Sequence, residues 1–200
     1  MISIADILRP EDILLDLNVS GATALFDEVG QLMQRRHGLP RVRVAEALVQ
    51  REAFGSTALG QGVAIPHGRL AGLRETHAAY VRPRLPMPFA APDGKPVSDF
   101  IVLLVPERAT DTHLGILAGV SALFTDPRFR DALHACDDPD TIRALVEQWD
   151  RVQPAPALMV GCWVEQAERG GDIGLLWQHT NIPTQSRVMV LAWGSALAPV

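Results

Sequence analysis

Basic charge is what this chain has too little of to hold a nucleic acid. Its 18 Lys and Arg are outnumbered by 23 Asp and Glu, for a formal net charge of −5, whereas a phosphate-backbone footprint needs a clustered cationic excess. Cysteine is scarce as well: Cys136 and Cys162 have neither CxxC spacing nor the density of a secreted disulfide scaffold. That points to a reducing cytoplasm and to two buried apolar thiols. Long hydrophobic runs are missing. The longest purely aliphatic stretch is about the five residues Ile101–Val105, far short of the ~20 that cross a bilayer. The N-terminal MISIADILRPEDILLD has no basic segment leading into an apolar one, so neither a membrane span nor an export signal is expected. What is present is 48% hydrophobic residues in 200, enough for one ordinary domain plus an appendage and too much for a disordered chain.

The net charge belongs to residues 1–150, because the six charges beyond them (Arg151, Glu165, Glu168, Arg169, Asp172 and Arg187) cancel. DRVQPAPAL, with Pro154 and Pro156, reads as a stiff linker. We therefore expect a domain over 1–150 and a C-terminal extension over 151–200. The extension reads as an extra strand pair or loose segment, or as a partner-binding stretch that uses Trp163, Trp177 and Trp193.

In the first part, helical periods alternate with short apolar runs, the pattern of an α/β domain. Strands are expected at 13–17, 63–65, 78–81 and 100–105. The last, with no polar alternation, should be central and covered on both faces. One helix should start at Ser20 and end at Gly38, and a second should open with Pro40. Three more are expected behind Asp111 or Thr112, Asp126 and Asp138.

Of the six histidines, His67 has the most unusual setting. It follows Ala64-Ile65-Pro66 and precedes Gly68, so a strand ending at proline would present the imidazole at a sheet rim, with the glycine leaving room for a ligand. Upstream, Gly55, Ser56, Thr57, Gly60 and Gly62 form a loop that could cradle an anion, with Arg51 as a bidentate phosphate donor. A merely flexible loop would explain the glycines too. His113 falls in the first turn of the helix after the central strand, where the helix terminus favours a neutral imidazole and attracts an anion; local capping is the plainer reading. His37 reads as an exposed helix-end residue, and His77, His134 and His179 have no supporting neighbours. The chain has no GK[ST], no HExxH, no paired CxxC and no GxSxG, which argues against a Walker loop, a zinc site and a serine hydrolase. Two histidines with an arginine and small hydroxyls fit phosphoryl transfer better.

REAFGSTALGQGVAIPHGRL, residues 51–70, and LLVPERATDTHLGIL, residues 103–117, together resemble the IIA components of the bacterial phosphotransferase system of the mannitol/fructose type. The resemblance covers about residues 3–149 and is nearest in style to the nitrogen-regulatory branch. It implies a mixed β-sheet flanked by helices on both faces. It implies that His67, in the IPHG segment, is phosphorylated as a tele-phosphohistidine, that His113 is the second active-site histidine and that Arg51 is the arginine of the RE pair. Ser56, Thr57, Gly60 and Gly62 are then expected to bind phosphate, with no metal or cofactor. Implied partners are an HPr-like phosphocarrier (NPr/HPr) and regulated targets such as potassium transporters or sensor kinases. A sugar-specific IIA subunit is the alternative within the family, and a non-catalytic binding module the alternative outside it. Ala58 stands where many relatives have glycine, which leaves the backbone at that position open.

Overall fold

The structure is a computed structural model and describes residues 3–107 and 111–152. The sheet has the order β1-β5-β6-β3-β2, with β4 also on β6. Its strands are β1 Ile13–Leu17, β2 Ala58–Gly60, β3 Val63–Ala64, β4 His67–Leu70, β5 His77–Pro83 and β6 Asp99–Pro106. β1 runs parallel to β5, β5 antiparallel to β6, β3 and β4 parallel to β6, and β2 antiparallel to β3. The expected mixed sheet is therefore present, with β6 inside it.

All residues of β6 from Asp99 to Val105 are buried, and their alternation divides the core. Ile101 and Leu103, with Ala78 and Tyr80 of β5, face α1 (Ile4–Ile7), α4 (Asp111–Thr125), α5 (Pro127–His134) and α6 (Pro139–Val152). Phe100, Val102 and Leu104, with Ala79 and Val81, face α2 (Ala22–His37) and α3 (Arg41–Ala53). Successive side chains of a strand point to opposite faces, so a continuous apolar run is what a strand between two helical layers requires. Burial of each such side chain contributes about 1.5–3 kcal/mol.

The punctuation residues act much as expected, with small shifts. Gly38 ends α2 in the left-handed conformation at φ 67°. Gly21 rather than Ser20 is the N-cap of α2, and Pro40 is the N-cap of α3 rather than its first residue. Asp126 caps α5 by accepting the Arg128 amide at 2.9 Å, and Asp138 accepts the Thr141 amide at 2.9 Å. α6 runs to Val152, just past the expected boundary. The extension beyond it, with its three tryptophans and His179, lies outside the described residues.

One expectation changes where it matters. The chain does not leave the sheet at Pro66. Proline cannot donate to the ladder, yet the Pro66 carbonyl accepts Leu103 N–H at 2.9 Å. The chain therefore stays on the β6 edge and resumes as β4, with His67 opposite Leu103. His67 opens a strand rather than hanging from the end of one.

Candidate functional site

Arg51 lies in the last turn of α3, and His67 starts β4. Gly68 brings the two elements together. A Cβ there would meet Ala47 Cβ at 3.1 Å, Ala47 C at 3.2 Å and Leu48 N at 3.3 Å, closer than ordinary van der Waals contact. The space beside His67 that the sequence suggested for a ligand is thus filled by the α3 backbone. That close approach brings α3 down on β4, and Arg51 is one turn beyond Ala47.

The geometry then fixes the protons of the imidazole. Arg51 Nε–H donates to His67 Nε2 at 2.9 Å. A guanidinium has only donors, so Nε2 must present a lone pair. His67 Nδ1 lies 3.0 Å from the Ile65 carbonyl, an acceptor, so Nδ1 carries the hydrogen. The ring is neutral, protonated on Nδ1 and bare on Nε2. Burial pushes its pKa below the ordinary 6.5; the Ile65 hydrogen bond opposes that, and the positive charges of Arg51 and Arg69 add to it. Burial also lowers the pKa of Arg51, against the attraction of Glu52, although a guanidinium remains charged at any working pH. Arg51 Nη1 donates to the Gly55 carbonyl at 2.9 Å.

The loop residues are bonded within the protein. Thr57 is buried, and its amide and hydroxyl both go to Glu52, the hydroxyl at 2.6 Å. Ser56 Oγ–H donates to the Phe89 carbonyl at 2.9 Å and accepts the Ala58 amide at 3.2 Å. Gly60 and Gly62 flank Gln61 in a turn whose φ values of 85°, 58° and 80° are all left-handed. Asp93 sits at this turn: its Oδ2 accepts the Gln61 amide at 2.8 Å, and its carboxylate would be met by a Cβ on Gly60. The Gly62 carbonyl accepts the amides of Ser98 and Asp99. Because Val63 pairs with Asp99 and His67 with Leu103, the turn lies four residues back along β6, about 13 Å from His67. The Thr57 amide and the Gln61 amide of the Gly60–Gly62 turn thus each donate to a carboxylate of the protein. Ala58, whose backbone was in question, is a strand residue.

His113 falls in the first turn of α4, after β6, as the sequence suggested; its side chain lies outside the described residues. Two histidine clusters went unnoticed. His37 is not exposed: its Nε2 donates to the buried Asp12 at 2.8 Å, and its ring lies 4.4 Å from that of His77. His134 Nε2 donates to the buried Asp99 at 2.8 Å, whose other oxygen accepts Tyr80 O–H at 2.6 Å; Arg82 donates to the Tyr80 oxygen at 3.0 Å. The two aspartates are 19 to 35 residues from the side chains that donate to them here, and no local pattern announces those pairings. Among the described residues no group of three His, Cys, Asp or Glu could hold a metal, and no helix is long and apolar enough to cross a membrane.

A helix-flanked mixed sheet that presents a neutral histidine, bare at Nε2 and faced by an arginine, is a scaffold suited to phosphohistidine chemistry. The model of the family described as "Phosphoenolpyruvate-dependent sugar phosphotransferase system, EIIA 2" matches residues 6–149, and the chain belongs to that family. Within it the chain is similar to the nitrogen regulatory protein of Bradyrhizobium diazoefficiens, 36% identical over 143 residues that cover 72% of this chain and 94% of the relative. It is also similar to the nitrogen regulatory protein of Pseudomonas aeruginosa, 34% identical over 149 residues, 73% of this chain and 96% of the relative. The crystal structure of nitrogen regulatory protein IIA-Ntr from Neisseria meningitidis superposes with a TM-score of 0.68 at 44% identity, over 72% of this chain and 98% of that one.

Proposed function

We propose that the chain is a cytoplasmic phosphoryl carrier of the nitrogen-regulatory kind, which takes a phosphoryl group onto His67 Nε2 from the phosphohistidine of an HPr-like carrier. The observation that carries this reading is the pair of opposed hydrogen bonds on His67: Nδ1–H held by the Ile65 carbonyl and the Nε2 lone pair turned to Arg51.

In the transfer, the Nε2 lone pair attacks phosphorus in line. The P–N bond to the carrier breaks, its electron pair returns to the carrier imidazole, and a P–N bond forms to His67. Positive charge develops on the His67 ring, and the Nδ1–H···O=C bond to Ile65 strengthens as it does. Arg51 gives up its contact with Nε2 and neutralises the phosphoryl oxygens, a positioning and electrostatic role of the sort that dominates phosphoryl transfer. His113, at the start of α4, is the second histidine and donates to a phosphoryl oxygen. Ser56 and Thr57 contribute by shaping the loop.

The added charge of roughly −1.5 to −2 at His67 is the output, since it changes which proteins can dock beside Arg51. Similarity to nitrogen regulatory proteins supports regulated partners, such as potassium transporters or sensor kinases, over a sugar transporter. Residues 151–200 lie beyond the family match, and we place the domain boundary near 150.

The experiment is intact-mass measurement after incubation with phosphoenolpyruvate, the first enzyme of the system and an HPr-like carrier. One acid-labile phosphate, absent in His67→Ala, supports the reading. No gain in the wild-type protein overturns it, and onward transfer to a IIB domain would assign the chain to a sugar-specific system.

A further inference from the structure

Glu52 follows Arg51 in the last turn of α3, and its carboxylate turns back on the loop. Its two oxygens accept the Thr57 amide at 3.1 and 3.2 Å, and one also accepts the Thr57 hydroxyl at 2.6 Å. Thr57 is 6% exposed, so water is a poor substitute for that carboxylate, and a buried donor left unmade is costly.

Two short routes lead from this contact to the site. On one, the Gly55 amide donates to the Glu52 carbonyl at 3.1 Å, and the Gly55 carbonyl accepts Arg51 Nη1 at 2.9 Å. Gly55 has φ 146°, a conformation that only a residue without Cβ adopts easily. It is held between Glu52 and a loop that Glu52 itself ties down. On the other route, the Thr57 carbonyl accepts the Ile65 amide at 3.0 Å, and the Ile65 carbonyl accepts His67 Nδ1–H at 3.0 Å. Glu52 therefore stands behind both contacts, through its main-chain carbonyl on the side of the donor that faces Nε2 and through its carboxylate on the side of the acceptor that holds Nδ1–H.

We infer that Glu52 and Thr57 form a positioning clamp that sets the tautomer of His67 and the angle of Arg51 together. Neither residue touches the phosphoryl group. An imidazole whose two neighbours drift apart redistributes its proton between the nitrogens, and the Nε2–H tautomer has no lone pair with which to attack phosphorus. The clamp keeps the nucleophilic tautomer populated before the carrier arrives. Its kinetic consequence rests on the phosphoryl reading above; its effect on the tautomer does not.

The test uses the full chain with 15N-labelled histidine, as wild type, Thr57→Val, Thr57→Ser and Glu52→Gln. In the wild type the His67 ring nitrogens should report Nδ1–H alone. Thr57→Val keeps the size and loses the hydroxyl donor. It should show a mixture of tautomers and a phosphorylation rate at saturating carrier lowered about tenfold, the scale of one lost hydrogen bond to a charged group. The carrier concentration for half-maximal rate should not change. Thr57→Ser should restore both tautomer and rate. Glu52→Gln, which keeps an acceptor oxygen, should fall between, and it carries the test should Thr57→Val not fold. A residue that only stabilises the fold would lower the melting temperature and leave the tautomer and the saturating rate alone. Folded Thr57→Val or Glu52→Gln protein with wild-type tautomer and rate overturns the clamp, as does a tautomer mixture in the wild type. Should the wild type accept no phosphate, the phosphoryl reading fails, and the tautomer comparison still decides for or against the clamp.

Discussion

Arg51 donates its Nε–H to His67 Nε2, 2.9 Å away, the nitrogen that supplies the electron pair in the proposed phosphoryl transfer. The proposed nucleophile is thus held with its lone pair on Nε2 and masked by the same contact. Replacing Arg51 by Ala should unmask Nε2 and yet slow phosphoryl acceptance by about 10²-fold, because the charge on the phosphoryl oxygens loses its counterpart. Arg51→Lys should not recover it, since an ammonium cannot reproduce the fork that holds Nε2 and the Gly55 carbonyl together. Stopped reactions with the phosphorylated carrier measure both.

The acid side of the pH profile follows from burial of His67. Its folded pKa lies below the ordinary 6.5, so the neutral nucleophile persists as pH falls through that value. Acceptance should stay flat from pH 8 through 6.5 and decline only below it. Arg51→Ala removes one of the charges that lower the pKa, so its decline should begin at higher pH. Stability has the matching sign. Below about 6.5 the unfolded chain binds more protons than the folded one, so stability is fully present above that pH and is lost as pH falls towards the folded value. His77, also lowered by burial and by His37 beside it, adds to the same loss. Histidine NMR titration and melting temperatures from pH 8 to 5 check both statements.

Gly68→Ala tests how α3 is seated. A methyl group 3.1 Å from Ala47 Cβ and 3.2 Å from the Ala47 backbone carbon must push helix and strand apart. A cost of about 1–3 kcal/mol is expected, with Arg51 carried away from Nε2. Urea unfolding should show the first effect, and a shift of the His67 ring nitrogen signals the second.

Sequence reading went furthest where a single strand or cap suffices. The run Ile101–Val105 identified a strand with helices on both faces, and Asp126-Pro127 and Asp138-Pro139 located helix starts, because such signals are local. It also singled out Arg51 and His67, which the fold brings together across 16 residues. What it missed depends on where carboxylates end up. The glycines and hydroxyls of 55–62 give no sign that Glu52 sits on Thr57 and Asp93 on Gln61. The Glu52–Thr57 contact spans five residues at a helix end, and only the backbone path after Ala53 turns them towards each other. Asp12 and Asp99, buried beneath His37 and His134, are tertiary pairings with no pattern of their own.

Tyr80→Phe probes the second of those pairings. Burial and the adjacent Asp99 carboxylate push the Tyr80 pKa up, so the phenol stays protonated and donates to Asp99. Its loss leaves a buried carboxylate short of one donor and should cost about 1–3 kcal/mol in denaturant unfolding. Phosphoryl acceptance by the folded protein should remain at the wild-type level, since neither residue touches the Arg51–His67 pair.

The central claim is that His67 reacts through Nε2 because Nδ1–H is held by Ile65. The most direct measurement is 15N NMR of histidine-labelled protein before and after phosphorylation by the carrier. A bare Nε2 is expected beforehand, and phosphorus–nitrogen coupling at Nε2 of His67 afterwards. Phosphate on Nδ1 of His67, or on any other residue, would contradict it.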